Sequence, residues 1–186
     1  MLCLLGGKMF VKEYKIPEGV EVKVEGNRVK VKGPKGELER EFRFPPGISI
    51  SVENNKVRVK SEIDKRKYKA LTGTIAAHIR NMMIGVTKGF VYKLRIVYSH
   101  FPMNVSVEEG KVVIRNFLGE RTARVAEIVG KTEVKVEGND IIVSGIDIEE
   151  VGQTASNIEQ ATRIIGKDRR VFTDGIFIIE KPLRRL

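Results

Sequence analysis

The sequence has only one cysteine, Cys3, no tryptophan and two histidines among its 186 residues. One cysteine excludes an intrachain disulfide and a thiolate metal site, and two histidines are too few for an ordinary histidine-rich site. We therefore expect no metal and no cofactor. The start of the chain, MLCLLGGK, has neither the positive region nor the length of a signal peptide. No apolar run approaches the roughly 18 residues of a membrane-spanning helix. These absences favour a cytoplasmic protein with no membrane partner.

Motifs that carry enzyme chemistry are also missing. The sequence contains no Walker phosphate loop, no HExxH and no GxSxG. His78 falls on a predicted helix, where a histidine most simply fills space or surface. Glu149 and Glu150 fall in the first turn of another predicted helix, where carboxylates stabilise the helix start without any catalytic role. The sequence therefore predicts that the protein is not an enzyme and has no small-molecule substrate.

Basic charge, in contrast, is abundant and unevenly distributed. The net charge is +10, and such an excess destabilises a compact fold by self-repulsion. An anionic partner explains the excess, and greater solubility is the alternative. Residues 60–95 carry a net charge of +7 and residues 163–186 one of +4, whereas residues 103–162 carry −5. This patchiness favours a nucleic-acid docking surface over general solubility.

The chain repeats itself at an interval of about 83 residues. Val24, Gly36 and Glu37 recur as Val107, Gly119 and Glu120, each 83 residues later. The segment VENNKVRVKS is similar to VEGNDIIVSG, which lies 84 residues later. Solenoid repeats are shorter, at roughly 20–50 residues. The interval therefore indicates a duplicated domain.

The first copy begins with valines that alternate with charged residues on both sides of Gly26-Asn27, which is typical of a β-hairpin. A second hairpin is predicted over residues 48–60. Apolar residues spaced three or four apart then predict a helix over about residues 65–84, with Gly85 at its end. In the segment FVYKLRIVY apolar residues recur at every second position, as in a strand, and this strand is predicted to be the last element of the first copy.

The second copy repeats this order. Its helix is predicted over about residues 148–165, with Asp147 and Glu150 forming a capping box at the start. Ile165 is expected on the buried face of this helix, and Gly166 is expected to end it. The segment IFIIEK then closes the copy as a strand.

The predicted fold class is α+β, with two tandem, structurally similar domains, each an antiparallel β-sheet with one packed α-helix. Residues 1–8 are predicted to be a flexible N-terminal tail. The first domain is predicted over residues 9–98, and the second over residues 99–186 with a short basic C-terminal tail. The boundary is expected near Ser99–Pro102.

One local difference between the copies marks a candidate site. Three residues lie between Gly85 and Gly89, but eight lie between Gly166 and Gly175. The longer segment, KDRRVFTD, contributes Lys167, Arg169 and Arg170. A loop can carry such charges to a phosphate backbone while the scaffold holds it in place. Cations that complement the helix dipole are the alternative, but this accounts for one charge better than for three.

A second candidate lies in the first copy, at Gly33-Pro34-Lys35-Gly36. This segment has the GxxG spacing of the KH nucleic-acid clamp. Strand patterns flank it, however, so a hairpin turn is the favoured interpretation. Lys32 and Lys35 remain candidates for phosphate contact.

Several separated motifs resemble a known family. FLGE at 117–120, VGQTASNIEQATRI at 151–164 and DRRVFTDGI at 168–176 are similar to the large-subunit ribosomal protein family "L six", in its archaeal and eukaryotic branch. YSHFPM at 98–103 adds to the likeness, which covers about residues 12–181. The resemblance implies a structural constituent of the large ribosomal subunit with two similar α+β domains.

The resemblance also implies binding to large-subunit (23S-type) rRNA, chiefly through the second domain. The implied position is near the sarcin–ricin loop, the stalk base and the translation-factor-binding region, beside neighbouring large-subunit proteins. In the bacterial branch a proline- and lysine-rich segment follows the second helix, and here IGKDRRVFTDG takes its place. The candidate RNA-binding residues, from position and charge together, are Arg163, Lys167, Arg169, Arg170, Lys32, Lys35, Lys181, Arg184 and Arg185.

Three further interpretations remain open at this point. An enzyme would need an active site assembled from distant residues, which no motif indicates. A free-standing tandem-domain RNA- or chromatin-binding protein would share the same charge pattern. A protein-interaction module would use the acidic residues within 103–162.

Overall fold

The computed structural model describes residues 9–99, 101–168 and 170–182. These residues form two compact units, which divide between Lys88 and Gly89. Each unit contains antiparallel strands and one α-helix, which confirms the predicted α+β class. The predicted tail at residues 1–8 lies outside the described residues. None of the described helices has the length and apolar character needed to cross a membrane.

The described residues of the first unit form two three-stranded sheets and one helix. Its elements are β1 (Phe10–Lys15), β2 (Glu21–Glu25), β3 (Arg28–Gly33), β4 (Gly36–Glu41), β5 (Ile48–Glu53), β6 (Lys56–Ser61) and α1 (Arg66–Thr87). The sheets run in the orders β1-β6-β5 and β2-β3-β4, and α1 packs against β1, β3 and β6. The alternating valines of β3 and β6 point inward, and Val29, Val31 and Val59 are almost fully buried with Ile79 of the helix.

The helix α1 runs further than its sequence predicts. Gly85 is buried inside it, and the helix ends at Thr87, just before Gly89 with φ of +76°. The last turn of α1 is needed for packing, because its residue Val86 packs directly against Gly33. A Cβ atom at Gly33 would lie 2.7 Å from the Val86 side chain. Glycine is therefore required where β3 meets the helix end.

The second unit contains seven strands and one helix among its described residues. Its elements are β7 (Phe90–Val97), β8 (Asn104–Glu108), β9 (Lys111–Arg115), β10 (Arg124–Glu127), β11 (Glu133–Glu137), β12 (Asp140–Gly145), α2 (Ile148–Ala161) and β13 (Gly175–Glu180). The sheets run in the orders β10-β9-β8 and β11-β12-β7-β13. The helix α2 packs against β7, β10, β12 and β13. Leu94, Ile141 and Ile158 lie at the centre of this core.

The strand β7 belongs to the second unit, although its sequence pattern places it at the end of the first. It pairs antiparallel with β12, where Leu94 lies opposite Ile141, and with β13 on its other side. The division therefore falls at Lys88/Gly89 and not near Ser99–Pro102. Periodicity identifies a strand and its buried face, but it does not identify the neighbouring strand.

The duplication is confirmed, with changed limits. The order β1-β6-β5 in the first unit corresponds to β7-β12-β11 in the second, and β2-β3-β4 corresponds to β8-β9-β10. In both units the helix follows the sixth strand. One repeat thus begins with a strand and ends with a helix, and β13 is an additional strand that follows the second repeat.

The start of α2 is confirmed in part. Asp147 caps the helix, because its Oδ1 accepts a hydrogen bond of 2.8 Å from the Glu149 amide. Glu150, in contrast, does not complete a capping box. Its Oε2 accepts a hydrogen bond of 3.0 Å from the Lys131 amide instead. The carboxylate fits there because Gly130 has no side chain: a Cβ atom at that position would lie 2.1 Å from the Glu150 carboxyl carbon.

The helix α2 ends earlier than predicted, at Ala161. Ile165 is 85% exposed and not buried, and Gly166, with φ of +75°, lies in the connection beyond the helix. This connection, the α2–β13 segment, consists of residues 162–174 and joins the helix to the last strand. The equivalent connection from α1 to β7 has only two residues, 88 and 89. The extension in the second copy is therefore larger than the glycine spacing predicts.

Candidate nucleic-acid interface

The middle of the α2–β13 segment is a turn built around Asp168. Its Oδ1 accepts a hydrogen bond of 2.9 Å from the Arg170 amide, and its carbonyl oxygen accepts from the Val171 and Phe172 amides at 3.1 and 3.0 Å. An aspartate that bonds the backbone two residues onward is a common turn-forming device. The turn leaves Lys167 and Arg170 exposed on the surface.

Buried hydrogen bonds fix both ends of the segment. At its start, the Thr162 hydroxyl donates to the Glu159 carbonyl oxygen and accepts a 2.9 Å hydrogen bond from the Ile176 amide. At its end, the Asp174 carboxylate is 2% exposed and accepts a 2.7 Å hydrogen bond from the Ser99 amide. The basic middle is therefore presented from anchored ends.

Arg124 connects the segment to the rest of the unit. Its guanidinium group forms two hydrogen bonds with the Glu120 carboxylate, at 2.8 and 2.7 Å. It also donates to the carbonyl oxygens of Ala161 and Arg163, at 2.9 and 3.1 Å. The last carbonyl groups of a helix have no partner within the helix, and Arg124 supplies one at the point where the segment begins.

Arg124 packs on an unusual turn in the FLGE motif. The guanidinium group lies 4.2 Å from the centre of the Phe117 ring, which is buried in a 3₁₀ turn at Phe117–Gly119. Asn116 and Leu118 both have positive φ, at 60° and 50°. The role of Arg124 is not predicted from the sequence. The four-residue spacing of Glu120 and Arg124 was the available signal, although such a pair is usually a minor surface feature.

The charges of this region are coupled. Hydrogen bonds from Arg124 hold the pKa of Glu120 below its ordinary value, and the positive charges of Arg124 and Lys167 lower it further. The Lys167 ammonium group also lies 4.8 Å from the centre of the Phe172 ring. Lys167 thus lies beside an aromatic ring while it stays exposed.

The structure brings together only part of the predicted set. Arg163, Lys167 and Arg170 are exposed on the α2–β13 segment, and Lys181 is exposed just after β13. Arg169, Arg184 and Arg185 lie outside the described residues.

The two candidate RNA-binding residues of the first unit, Lys32 and Lys35, lie in different surroundings. The predicted hairpin turn is confirmed, with Gly33 opposite Gly36 between β3 and β4. Lys32 is exposed on β3. Lys35 contacts the end of α1, where its amide donates to the Val86 carbonyl oxygen and its ammonium group donates to the Lys88 carbonyl oxygen. This contact gives Lys35 a structural role that its sequence context does not predict.

A groove of about 680 Å³ lies between the end of α2, the α2–β13 segment and β13. Its lining combines aromatic, aliphatic, amide, hydroxyl and charged groups: Val97, Glu159, Gln160, Thr162, Arg163, Ile164, Phe172, Thr173, Asp174 and Phe177. Ile165 and Val171, each next in sequence to a lining residue, are 85% and 60% exposed. Within the described parts of the chain, no group of three or more histidine, cysteine, aspartate or glutamate residues could hold a metal ion.

A separate charged cluster lies on the sheet of the second unit. The Asp140 carboxylate on β12 contacts Arg95 and Lys93 on β7, at 2.9 and 2.8 Å. Hydrogen bonds from Arg95 and then from Lys93 lower the pKa of Asp140 to about 2. These two cations are therefore neutralised in part within the protein.

Comparisons with known proteins agree over most of the chain. A family model described as ribosomal protein L6 matches twice, at residues 16–89 and 101–175. The large ribosomal subunit protein uL6 of Desulfurococcus amylolyticus is 56% identical over 171 residues, which cover 91% of this chain and 93% of that protein. The uL6 proteins of Aeropyrum pernix and Methanothrix thermoacetophila are 54% and 53% identical, over 93% and 92% of this chain and 95% and 97% of theirs.

Proposed function

The chain belongs to the ribosomal protein L6 family, in its archaeal branch, and from that premise we propose that its second unit binds large-subunit rRNA through phosphate contacts of the α2–β13 segment. Family membership confirms the coarser predictions. The protein is a structural constituent of the large ribosomal subunit, associated with the ribosome, and not an enzyme. It also favours the ribosome over a free-standing RNA- or chromatin-binding role.

The observation that carries the proposal is the combination of exposure and anchoring in one segment. Arg163, Lys167 and Arg170 are exposed, whereas both ends of the segment are held by hydrogen bonds to buried groups. Cations that are already positioned lose less conformational entropy when they bind a phosphate. The acidic surplus of residues 103–162 leaves this segment as the favoured place for an anion on the second unit.

The location on the ribosome is also part of the proposal. We place the second unit near the sarcin–ricin loop, the stalk base and the factor-binding region, with neighbouring large-subunit proteins as partners. This location rests on the family resemblance of the FLGE, VGQTASNIEQATRI and DRRVFTDGI motifs. Lys32, Lys181, Arg184 and Arg185 are proposed as additional backbone contacts, whereas Lys35 contributes mainly to folding through its contact with α1.

The proposal is tested by removing Lys167, Arg169 and Arg170 together, each changed to Ala. The probe is protein-free large-subunit rRNA from Desulfurococcus amylolyticus, titrated at several salt concentrations. Each lost phosphate contact should reduce the slope of log affinity against log salt by roughly 0.7–0.9. Folding should change little, because substitutions on an exposed loop usually alter stability by about 0.5 kcal/mol or less each.

A matched control removes the same charge elsewhere. Lys23, Lys67 and Lys135 are exposed and lie on β2, α1 and β11, and we expect their replacement with Ala to leave most of the salt slope intact. An equal loss in both triple variants would show that net charge, and not this segment, binds the RNA. A wild-type affinity that does not depend on salt would refute phosphate binding altogether.

A further inference from the structure

We propose that the groove between α2, the α2–β13 segment and β13 binds one unpaired nucleobase of the RNA, stacked on the ring of Phe177. This inference rests on the proposed function, because the base belongs to the RNA whose backbone the α2–β13 segment contacts. It adds a contact of a different kind, which depends on an aromatic surface and not on charge.

The ring of Phe177 is placed as a stacking surface by the absence of a side chain at Gly175. A Cβ atom at Gly175 would lie 3.0 Å from Cζ and 3.2 Å from Cε2 of that ring. The ring therefore lies over the backbone of β13, next to Val97, which is opposite Gly175 in the neighbouring strand. Ile176 is fully buried in the core, but Phe177 stays 39% exposed and lines the groove.

The acidic groups in the groove favour a base over a phosphate. Glu159 and Asp174 both line it, and a phosphate placed between them would be repelled. Each carboxylate already accepts a backbone hydrogen bond, from the Ile178 amide at 3.2 Å and from the Ser99 amide at 2.7 Å. A neutral base therefore meets no net repulsion from them.

The remaining lining suits the edge and the attached backbone of a nucleotide. Gln160 and Thr173 carry an amide and a hydroxyl group, which are the groups that hydrogen-bond base edges in single-stranded RNA. Arg163 lines the same groove and is exposed, so it reaches the phosphate next to an inserted base. The volume of about 680 Å³ lies within the ordinary range for small-ligand pockets.

The first test uses Phe177→Trp, which places the only tryptophan of the chain in the groove. We expect its fluorescence to be quenched when protein-free large-subunit rRNA from Desulfurococcus amylolyticus is added, and to be unchanged by a fully paired RNA duplex. Unchanged fluorescence with bound rRNA would overturn the proposal. So would quenching only by the proteins of the large subunit, which would assign the groove to an apolar side chain of a neighbour.

The second test uses Phe177→Leu, which keeps apolar bulk but removes the aromatic face. Stacking of one base supports an expected loss of about tenfold in rRNA affinity, or ~1.4 kcal/mol. The salt slope should stay unchanged, because no phosphate contact is removed. The matched control is Phe101→Leu, at an aromatic side chain in the same unit that is 47% exposed and does not line the groove.

The outcomes separate this inference from the proposed function. Equal losses in the two phenylalanine variants, or a reduced salt slope in Phe177→Leu, would overturn base insertion while leaving phosphate binding in place. Failure of the wild-type protein to bind the rRNA would instead overturn the proposed function.

Discussion

Replacing Arg124 with Ala should destabilise the second unit more than any other single surface substitution in the α2–β13 region. The guanidinium group bonds Glu120 and lies 4.2 Å from the centre of the Phe117 ring. It also donates to the carbonyl oxygen of Ala161, at the end of α2, and to that of Arg163, just beyond it. Removing it leaves the carbonyl groups of Ala161 and Arg163 without this donor. The cost is therefore more than the loss of one surface ion pair.

The loss of stability expected for Arg124→Ala is estimated by adding the contributions of these contacts. The hydrogen bonds to the carbonyl groups of Ala161 and Arg163 contribute about 1 kcal/mol each. The stacked guanidinium contributes roughly 0.5–1 kcal/mol. The Glu120 pair contributes only about 0.3–0.5 kcal/mol, because its side chains are 28% and 40% exposed. The total is about 3 kcal/mol.

Hydrogen exchange of the second unit provides the assay. A loss of about 3 kcal/mol should accelerate exchange of its most protected amides, such as that of Leu94 in the central strand β7, by roughly a hundredfold. The first unit serves as an internal control, and amides of β3 and β6 should exchange at unchanged rates. Because each unit is followed by its own peptides, no two-state assumption for the whole chain is needed.

Two companion variants make the reasoning refutable. Glu120→Gln removes the ion pair but leaves the contacts with the helix end, so it should cost about 0.5 kcal/mol or less. Arg124→Lys keeps the charge but cannot reach all the same acceptors with one ammonium group, so an intermediate loss is expected. If Arg124→Ala costs no more than Glu120→Gln, the bonds from Arg124 to the carbonyl groups of Ala161 and Arg163 do not stabilise the second unit.

Two further predictions concern other parts of the second unit. The pKa of Asp140 is lowered from 3.8 to about 2, mainly by hydrogen bonds from Arg95, so its contribution to stability is present above pH ~4 and is lost as the pH falls toward 2. Urea unfolding between pH 5 and 2 should show this dependence, and Asp140→Asn should reduce it; an identical profile in the variant would contradict the assignment. Gly130→Ala should cost about 2 kcal/mol or more, because its Cβ atom would meet the Glu150 carboxylate. Thermal unfolding of Gly138→Ala, at a similar positive φ with open space around it, measures the backbone cost alone, and equal losses would exclude the clash.

Much of the architecture is readable from the sequence, because local signals specify it. The alternation of valine with charged residues fixes the hairpins, and the turn at Gly26-Asn27 sets the register of Val24 against Val29. Asp147 signals the start of α2 through the chemistry of its carboxylate. The repeat interval identifies the duplication. Each of the local features depends on residues close together in the chain.

The errors arise where distant residues decide the outcome. Gly85 looks like a helix end, but tertiary packing of Val86 against Gly33 carries the helix past it. Ile165 continues the apolar spacing of α2, yet the helix has ended and the side chain is 85% exposed. The partners of β7 lie about 50 and 80 residues further along the chain, and no local pattern specifies them.

The sequence indicates where the candidate site lies, but not which contacts hold it in place. Charge and segment length pointed to Lys167 and Arg170, since both are properties of the local sequence. The role of Arg124 could not be read in this way, because it depends on carbonyl groups 37 and 39 residues away. The proposed role of the Phe177 ring likewise could not be read from the sequence, because a single phenylalanine in a strand is usually a core residue.

The extra strand β13 also changes which strand lies at the edge of a sheet. In the second unit it covers the outer side of β7, whereas within the first unit the equivalent strand β1 pairs only with β6 among the described residues. An uncovered strand edge is a template for intermolecular pairing, and charged side chains, especially lysine, commonly guard against it. Lys12 and Lys15 are exposed on β1, so part of the basic charge of the first unit lies on a strand where lysine disfavours such pairing.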